Sequence, residues 1–218
     1  FLFPEQQKSP KDKARTVEAA VKETWASYWS YGAFEERRLA SVPHLDGRMG
    51  VLVHPRFDDE VETANGVALL AFKRDPAGDR VELAVNVQDG AESVTNPTPG
   101  KVVLPEVDKV TRIGSGPPQV TRPQKSSLVA PGVKLLADPE LLKMFADMAP
   151  LAPAWLDDAN QPLHPAERAR SVVLDFEFRK VKAGWPALAQ GPQLPARLVW
   201  KQVRPLSRAM RVSAAHLD

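Results

Sequence analysis

Cysteine is absent from this 218-residue chain. That excludes disulfides, thiolate nucleophiles and cysteine-bound metal, and it suits a cytoplasmic location. Long apolar runs are missing too. No stretch approaches the roughly 18 consecutive apolar residues of a membrane-spanning helix, so no membrane partner is expected. Neither sign of charge dominates, with 29 Lys and Arg against 27 Asp and Glu. Nucleic-acid binders gather positive charge on one stripe. Here acids and bases alternate, as in Glu35-Glu36-Arg37-Arg38, so nucleic acid is not an expected partner. The opening Phe1-Leu2-Phe3-Pro4 has no basic segment before it and is too short for a signal peptide. A start on Phe rather than Met points to a processed or excised piece. The four histidines, His44, His54, His164 and His216, show no metal-pair spacing, and no serine lies in a nucleophile-elbow pattern.

What is present is an ordinary globular composition, 43% hydrophobic and 26% charged, with 21 prolines. The proline content is about twice the usual and predicts long irregular connections. Ser9-Pro10-Lys11-Asp12 has the chemistry of a helix start. Val17, Val21, Trp25, Tyr28 and Trp29 follow at helical spacing. That stripe reads as core rather than as a cofactor platform. The helix should end near Gly32, with a second short one over 33–40.

Apolar runs over 49–54, 66–72 and 80–88 read as strands, the last two forming a hairpin through Asp75-Pro76-Ala77-Gly78. The proline-studded stretch 96–132 reads as a surface loop. Gly114-Ser115-Gly116 lacks the lysine and hydroxyl of a phosphate loop and runs into Pro117-Pro118. Asp138-Pro139-Glu140 opens a helix carrying Leu141, Leu142, Phe145 and Met148, closed by Pro150. Two further strands are expected over 172–180 and 196–203. Strands and helices in mixed order give an α+β class, with a mixed or antiparallel sheet and flanking helices, over one domain or fragment spanning 1–218.

The chemistry-bearing residues lie in the last two strands. Alternation puts Leu174, Phe176 and Phe178 on one face of the first and Asp175, Glu177 and Arg179 on the other. The same rule places Leu198, Trp200, Gln202 and Arg204 on one face of the second. If the strands pair, a carboxylate, an amide and a guanidinium converge. These are the types that suit a magnesium-bound polyphosphate, because magnesium takes carboxylate and phosphate oxygens and guanidinium forks onto phosphate. Charge pairing across an exposed sheet gives the same pattern without any ligand.

Asp175-Phe176-Glu177-Phe178 followed by Arg197-Leu198-Val199-Trp200-Lys201-Gln202-Val203-Arg204-Pro205-Leu206 resembles the closing signature of the phosphoenolpyruvate synthase and pyruvate phosphate dikinase family. Earlier segments are similar in the same order: Glu23 to Trp29, Ala33 to Arg38, Met49 to Pro55, Ala64 to Ala68, and Asn86 to Gly90 with Ser93 to Pro97. The resemblance spans residues 17–206 and implies the C-terminal part of an ATP-grasp nucleotide domain. It implies ATP and Mg2+ as cofactors, and phosphoryl transfer to a histidine on another domain. Glu177 would ligate magnesium, Gln202 and Arg204 would act on the nucleotide and its phosphates, and Val53 and Glu92 would contribute to the nucleotide site. The partners implied are the nucleotide, the missing N-terminal half of the ATP-grasp domain and a phosphohistidine domain.

Three departures from the family pattern support an alternative. Ala91 stands where the family has an acid, with Glu92 one place later, and Leu70-Ala71 replaces a Thr-Arg pair. The first half of the site is not in this chain. The alternative is a degenerate, non-catalytic relative that serves as a nucleotide-binding or regulatory module.

Overall fold

The computed structural model describes residues 16–39, 41–45, 47, 49–51, 53, 60–95, 103–185 and 195–206. The chain forms two compact units, 1–56 and 57–218. The proposed helix start at Ser9 lies outside the described residues.

In the first unit, α1 (Val17–Ser27) begins where Thr16 Oγ1 accepts a hydrogen bond from the Ala19 amide at 3.1 Å. α2 (Tyr31–Leu39) follows after a short turn. Arg37 holds the pair together. It donates to the Tyr28 carbonyl at 2.7 Å and sits 3.7 Å above the Tyr28 ring centroid. Phe34 stacks on His44 at 4.0 Å. Neither helix buries a residue, and Trp25 and Trp29 are 53% and 61% exposed. The assignment of these tryptophans to a core is therefore corrected. Two helices of about three turns have too little surface to enclose an indole. The strand expected over 49–54 is not seen either, since residues 49–51 and 53 are irregular.

The second unit is an antiparallel six-stranded sheet in the order β4-β3-β2-β1-β5-β6, and α+β describes the chain. β1 (Glu62–Lys73) and β2 (Arg80–Asp89) form the expected hairpin. Its turn is tied by Asp75, whose carbonyl accepts from Gly78 and whose Oδ1 accepts from Ala77. Gly78 sits at φ +127°, a backbone region that side chains disfavour. β3 (Glu106–Ile113) and β4 (Gln119–Gln124) form a second hairpin, which corrects the loop expected over 96–132. Its prolines are placed where strands tolerate them. Pro105 precedes β3, Pro117 and Pro118 lie in the turn, and Pro123 is on the edge strand at a register shift.

α3 (Asp138–Met148) and α4 (Leu151–Asn160) cover one face of the sheet. α3 starts as expected, but Pro150 opens α4 rather than ending helical structure. A rigid φ suits the start of a helix as well as its end. Alternate residues of the strands fill the core: Ala68, Leu70 and Phe72 from β1, Leu83 and Val85 from β2, and Leu174, Phe176 and Phe178 from β5 (Ser171–Val181). They pack on Leu141, Met144, Phe145, Met148 and Leu156 of the helices. β6 (Arg197–Pro205) completes the sheet. Among the described residues no helix is long and apolar enough to cross a membrane.

Candidate functional site

β5 alternates as its sequence dictates, with Val172, Leu174, Phe176 and Phe178 buried and Asp175, Glu177 and Arg179 on the opposite, outer face. β6 does not keep a single alternation. Its register with β5 shifts between Glu177 and Phe178, where Glu177 pairs with Gln202 but Phe178 pairs with Trp200. Lys201 is the extra residue of a β-bulge. One inserted residue exchanges the faces on either side of it. Leu198 and Trp200 therefore pack on the core, Trp200 edge-on to Phe176 and Phe178 at 6.0 and 5.8 Å. Gln202 and Arg204 turn outward. The expectation that all four share a face is corrected, and the bulge itself brings Gln202 and Arg204 to the face of Glu177.

On that face the charges are in contact. Lys201 Nζ lies 2.9 Å and Arg179 Nη2 3.0 Å from Glu177 Oε1. Arg179 Nε also meets Glu62 Oε1 at 3.0 Å. Arg204 Nε donates to Asp175 Oδ2 at 2.8 Å, with the arginine side chain 56% exposed. Gln202 lies directly opposite Glu177 and is exposed. Glu177 and Arg204 thus share a face without bonding to each other. Lys201 went unrecognised as a member of the set, because only the bulge carries its ammonium to Glu177.

Burial alone would push the Glu177 carboxyl up. The Lys201 hydrogen bond and charge, with Arg179 beside them, outweigh burial and hold it below the usual carboxylate range. A depressed carboxyl contributes stability above its unfolded value and loses it as pH falls through the folded one. Lys201→Met should therefore raise the Glu177 midpoint, measured by carboxyl-carbon NMR titration. An unmoved midpoint would assign the effect to Arg179 alone.

Among the described residues no group of three His, Cys, Asp or Glu could hold a metal. Each carboxylate of the outer face already meets a cation. The set still suits a magnesium ion that arrives with phosphates, because such an ion takes one or two protein carboxylates and fills its remaining positions with phosphate and water. Glu177 would be that carboxylate, exchanging Lys201 for the metal.

Glu92 lies in the turn after β2, where Asn65 Nδ2 donates to the carbonyls of Gly90 and Glu92 at 2.8 and 2.7 Å. Asn65 pairs with Arg179 across β1 and β5, so this turn is tied to the strand that carries Glu177. Leu70 is fully buried on the core face, and Ala71 is on the outer face. Val53 belongs to the first unit and is exposed. His44 is in the first unit, and His164 accepts a hydrogen bond from the Ala166 amide in a single 3-10 turn. His54 and His216 lie outside the described residues.

Comparison of the chain with protein-family models, with curated proteins and with solved structures returned no match.

Proposed function

We propose that the outer face of β5 and β6 binds the polyphosphate of ATP, as part of a phosphotransferase that hands a phosphoryl group to a histidine on another domain. The reading follows the resemblance to the phosphoenolpyruvate synthase and pyruvate phosphate dikinase family. The observation that carries it is the bulge at Lys201, which collects Glu177, Lys201, Gln202 and Arg204 on one face. Arg204 is exposed enough to leave Asp175 for a phosphate, which its fork fits in two places. Lys201 adds a point charge and Gln202 an amide. Magnesium, when bound with the phosphates, would neutralise part of their charge, and Glu177 is the residue to hold it. The remaining half of the nucleotide domain and the histidine domain are the partners this reading requires, and a cytoplasmic location goes with it.

A second reading, nucleotide binding without transfer, is favoured by specific residues. Ala91 offers no acid, the Leu70 side chain is consumed by the core, and Ala71 brings no cation to the outer face.

Calorimetry with ATP and magnesium tests the first reading. The chain should bind weakly, and Arg204→Ala should lower affinity about tenfold or more, the loss of one charged phosphate contact. Folding stability should move by less than about 1 kcal/mol, because the Arg204–Asp175 pair is exposed. No binding, or binding indifferent to Arg204→Ala, would sink the proposal. Release of AMP from ATP by the protein together with its partner domains would decide for transfer over binding alone.

A further inference from the structure

A second charged cluster lies on the opposite, core side of the sheet. Glu106 and Asp108 stand two residues apart on β3, on the face that packs toward α3, and both are withdrawn from water at 2% and 0% exposure. One guanidinium nitrogen serves both. Arg122 Nη1, from β4, is 3.3 Å from Glu106 Oε1 and 2.8 Å from Asp108 Oδ1. The register of β3 with β4 shifts between Val107 and Lys109, which sets the Arg122-Pro123 pair against Asp108.

The cluster grips the segment that leads into α3. Glu106 accepts hydrogen bonds from the Leu135 amide at 3.2 and 3.1 Å to its two oxygens, and from the Leu136 amide at 3.3 Å. Arg122 Nη2 donates to the Leu136 carbonyl at 2.8 Å and to Asp138. Lys180 of β5 reaches the Leu135 carbonyl at 3.0 Å and Glu140 at 2.8 Å. Lys134 bonds Asp138 at 3.2 Å. The β2 residues opposite, Val85 and Val87, are apolar. Arg112, farther along the same face of β3, lies 5.4 Å from the Phe145 ring centroid.

Two buried negative charges against one guanidinium, itself shared with Asp138, leave an uncompensated charge in a dry place. Asp108 Oδ2 is buried without a hydrogen-bond partner among the described residues. A single proton would remove the excess charge and let Asp108 donate to its neighbour, as like carboxylates sharing a site do. We propose that Asp108 holds a proton in this dry cluster beside Glu106, and that this proton latches residues 134–138 onto the sheet. In support, the Asp108 carboxyl is pushed up to about 7, first by burial and then by the Glu106 charge, against the pull of Arg122. Below neutrality the latch is closed. Above it, the second charge competes for Arg122 and repels Glu106, and the grip on the Leu135 and Leu136 amides loosens.

NMR titration of the 218-residue protein is the test. The Leu135 and Leu136 amide shifts should move together with a midpoint near 7. Asp108→Asn, close in shape and unable to lose that proton, should flatten both curves. Flat curves in the unaltered protein, or a midpoint that survives Asp108→Asn, would overturn the proposal. If Asp108→Asn does not fold, the Asp108 carboxyl-carbon shift of the unaltered protein decides alone. A midpoint near 7 upholds the latch, and one in the ordinary carboxyl range, around 4, overturns it.

Discussion

Arg122→Met should destabilise the sheet unit by about 3–5 kcal/mol, the cost of removing one partner from a buried charge cluster. The methionine replaces most of the apolar stem but none of the donors. Glu106 and Asp108 lose their shared guanidinium, and the Leu136 carbonyl loses a hydrogen bond. The loss should also depend on pH. With its folded value raised to about 7, Asp108 binds more protons in the native than in the unfolded chain above the unfolded value of 3.8. Stability from this group is therefore complete below the unfolded value, falls as pH rises through the window, and levels off above the folded value. Arg122 lowers the Asp108 carboxyl, so its removal pushes the folded value higher and extends the window upward. Urea unfolding at pH 5 and at pH 8 should show the larger loss at pH 8. An equal loss at both would mean that the guanidinium acts through packing and the Leu136 bond alone. In the Arg122→Met background, adding Glu106→Gln and Asp108→Asn should recover part of the loss at pH 8, since both buried carboxyl groups are then replaced by neutral amides.

This cluster also explains why the second hairpin was hidden in the sequence. Glu106-Val107-Asp108-Lys109-Val110-Thr111-Arg112 places Glu106, Asp108, Val110 and Arg112 on the core-facing side. Binary patterning assigns polar residues to solvent. Three of those four carry charge, so the strand reads as a polar loop, and the surrounding prolines deepen that impression. The charges become intelligible only once β4 and the segment before α3 are in place to pair them. By contrast, β1, β2 and β5 were legible because each buries aliphatic or aromatic residues at every second position.

The candidate site was legible in its residue types but not in its wiring. The types at Glu177, Gln202 and Arg204 follow from the letters, and so does their residence on two successive strands, which a hairpin-built sheet sets side by side. The bulge at Lys201 leaves no mark in the letters, since any residue can be the inserted one. It reverses the side-chain parity of β6 beyond that point and decides which residues meet Glu177. In the first unit, helical spacing marks a helix through Val17, Val21 and Trp25, but that helix stops at Ser27 rather than near Gly32, which lies inside α2, and spacing does not show what the tryptophans touch. Periodicity reports a face, and burial needs a partner for that face.

Phe178→Ala should cost about 3–5 kcal/mol, the range for deleting a fully buried phenyl group. Phe178 has no exposed surface, and its ring meets Trp200 edge-on. It also lies over Gly66, its cross-strand partner on β1. A Cβ built at Gly66 would come within 2.6 Å of Phe178 Cζ and 2.4 Å of the Asn86 carbonyl oxygen. Glycine at this place in a strand interior is thus required by the close approach of an aromatic ring and a neighbouring backbone. Gly66→Ala alone should destabilise by about 1–3 kcal/mol through overpacking. The double variant separates the two contacts. If the ring is the main obstacle, the cavity left by Phe178→Ala accommodates the new methyl group, and the double variant should be more stable than the summed single losses by about 0.5–3 kcal/mol. If the Asn86 carbonyl dominates, the losses should add, because a backbone oxygen in the β1–β2 ladder cannot yield without breaking the pairing on which β5 also depends. Urea unfolding of the four proteins in one buffer distinguishes the cases.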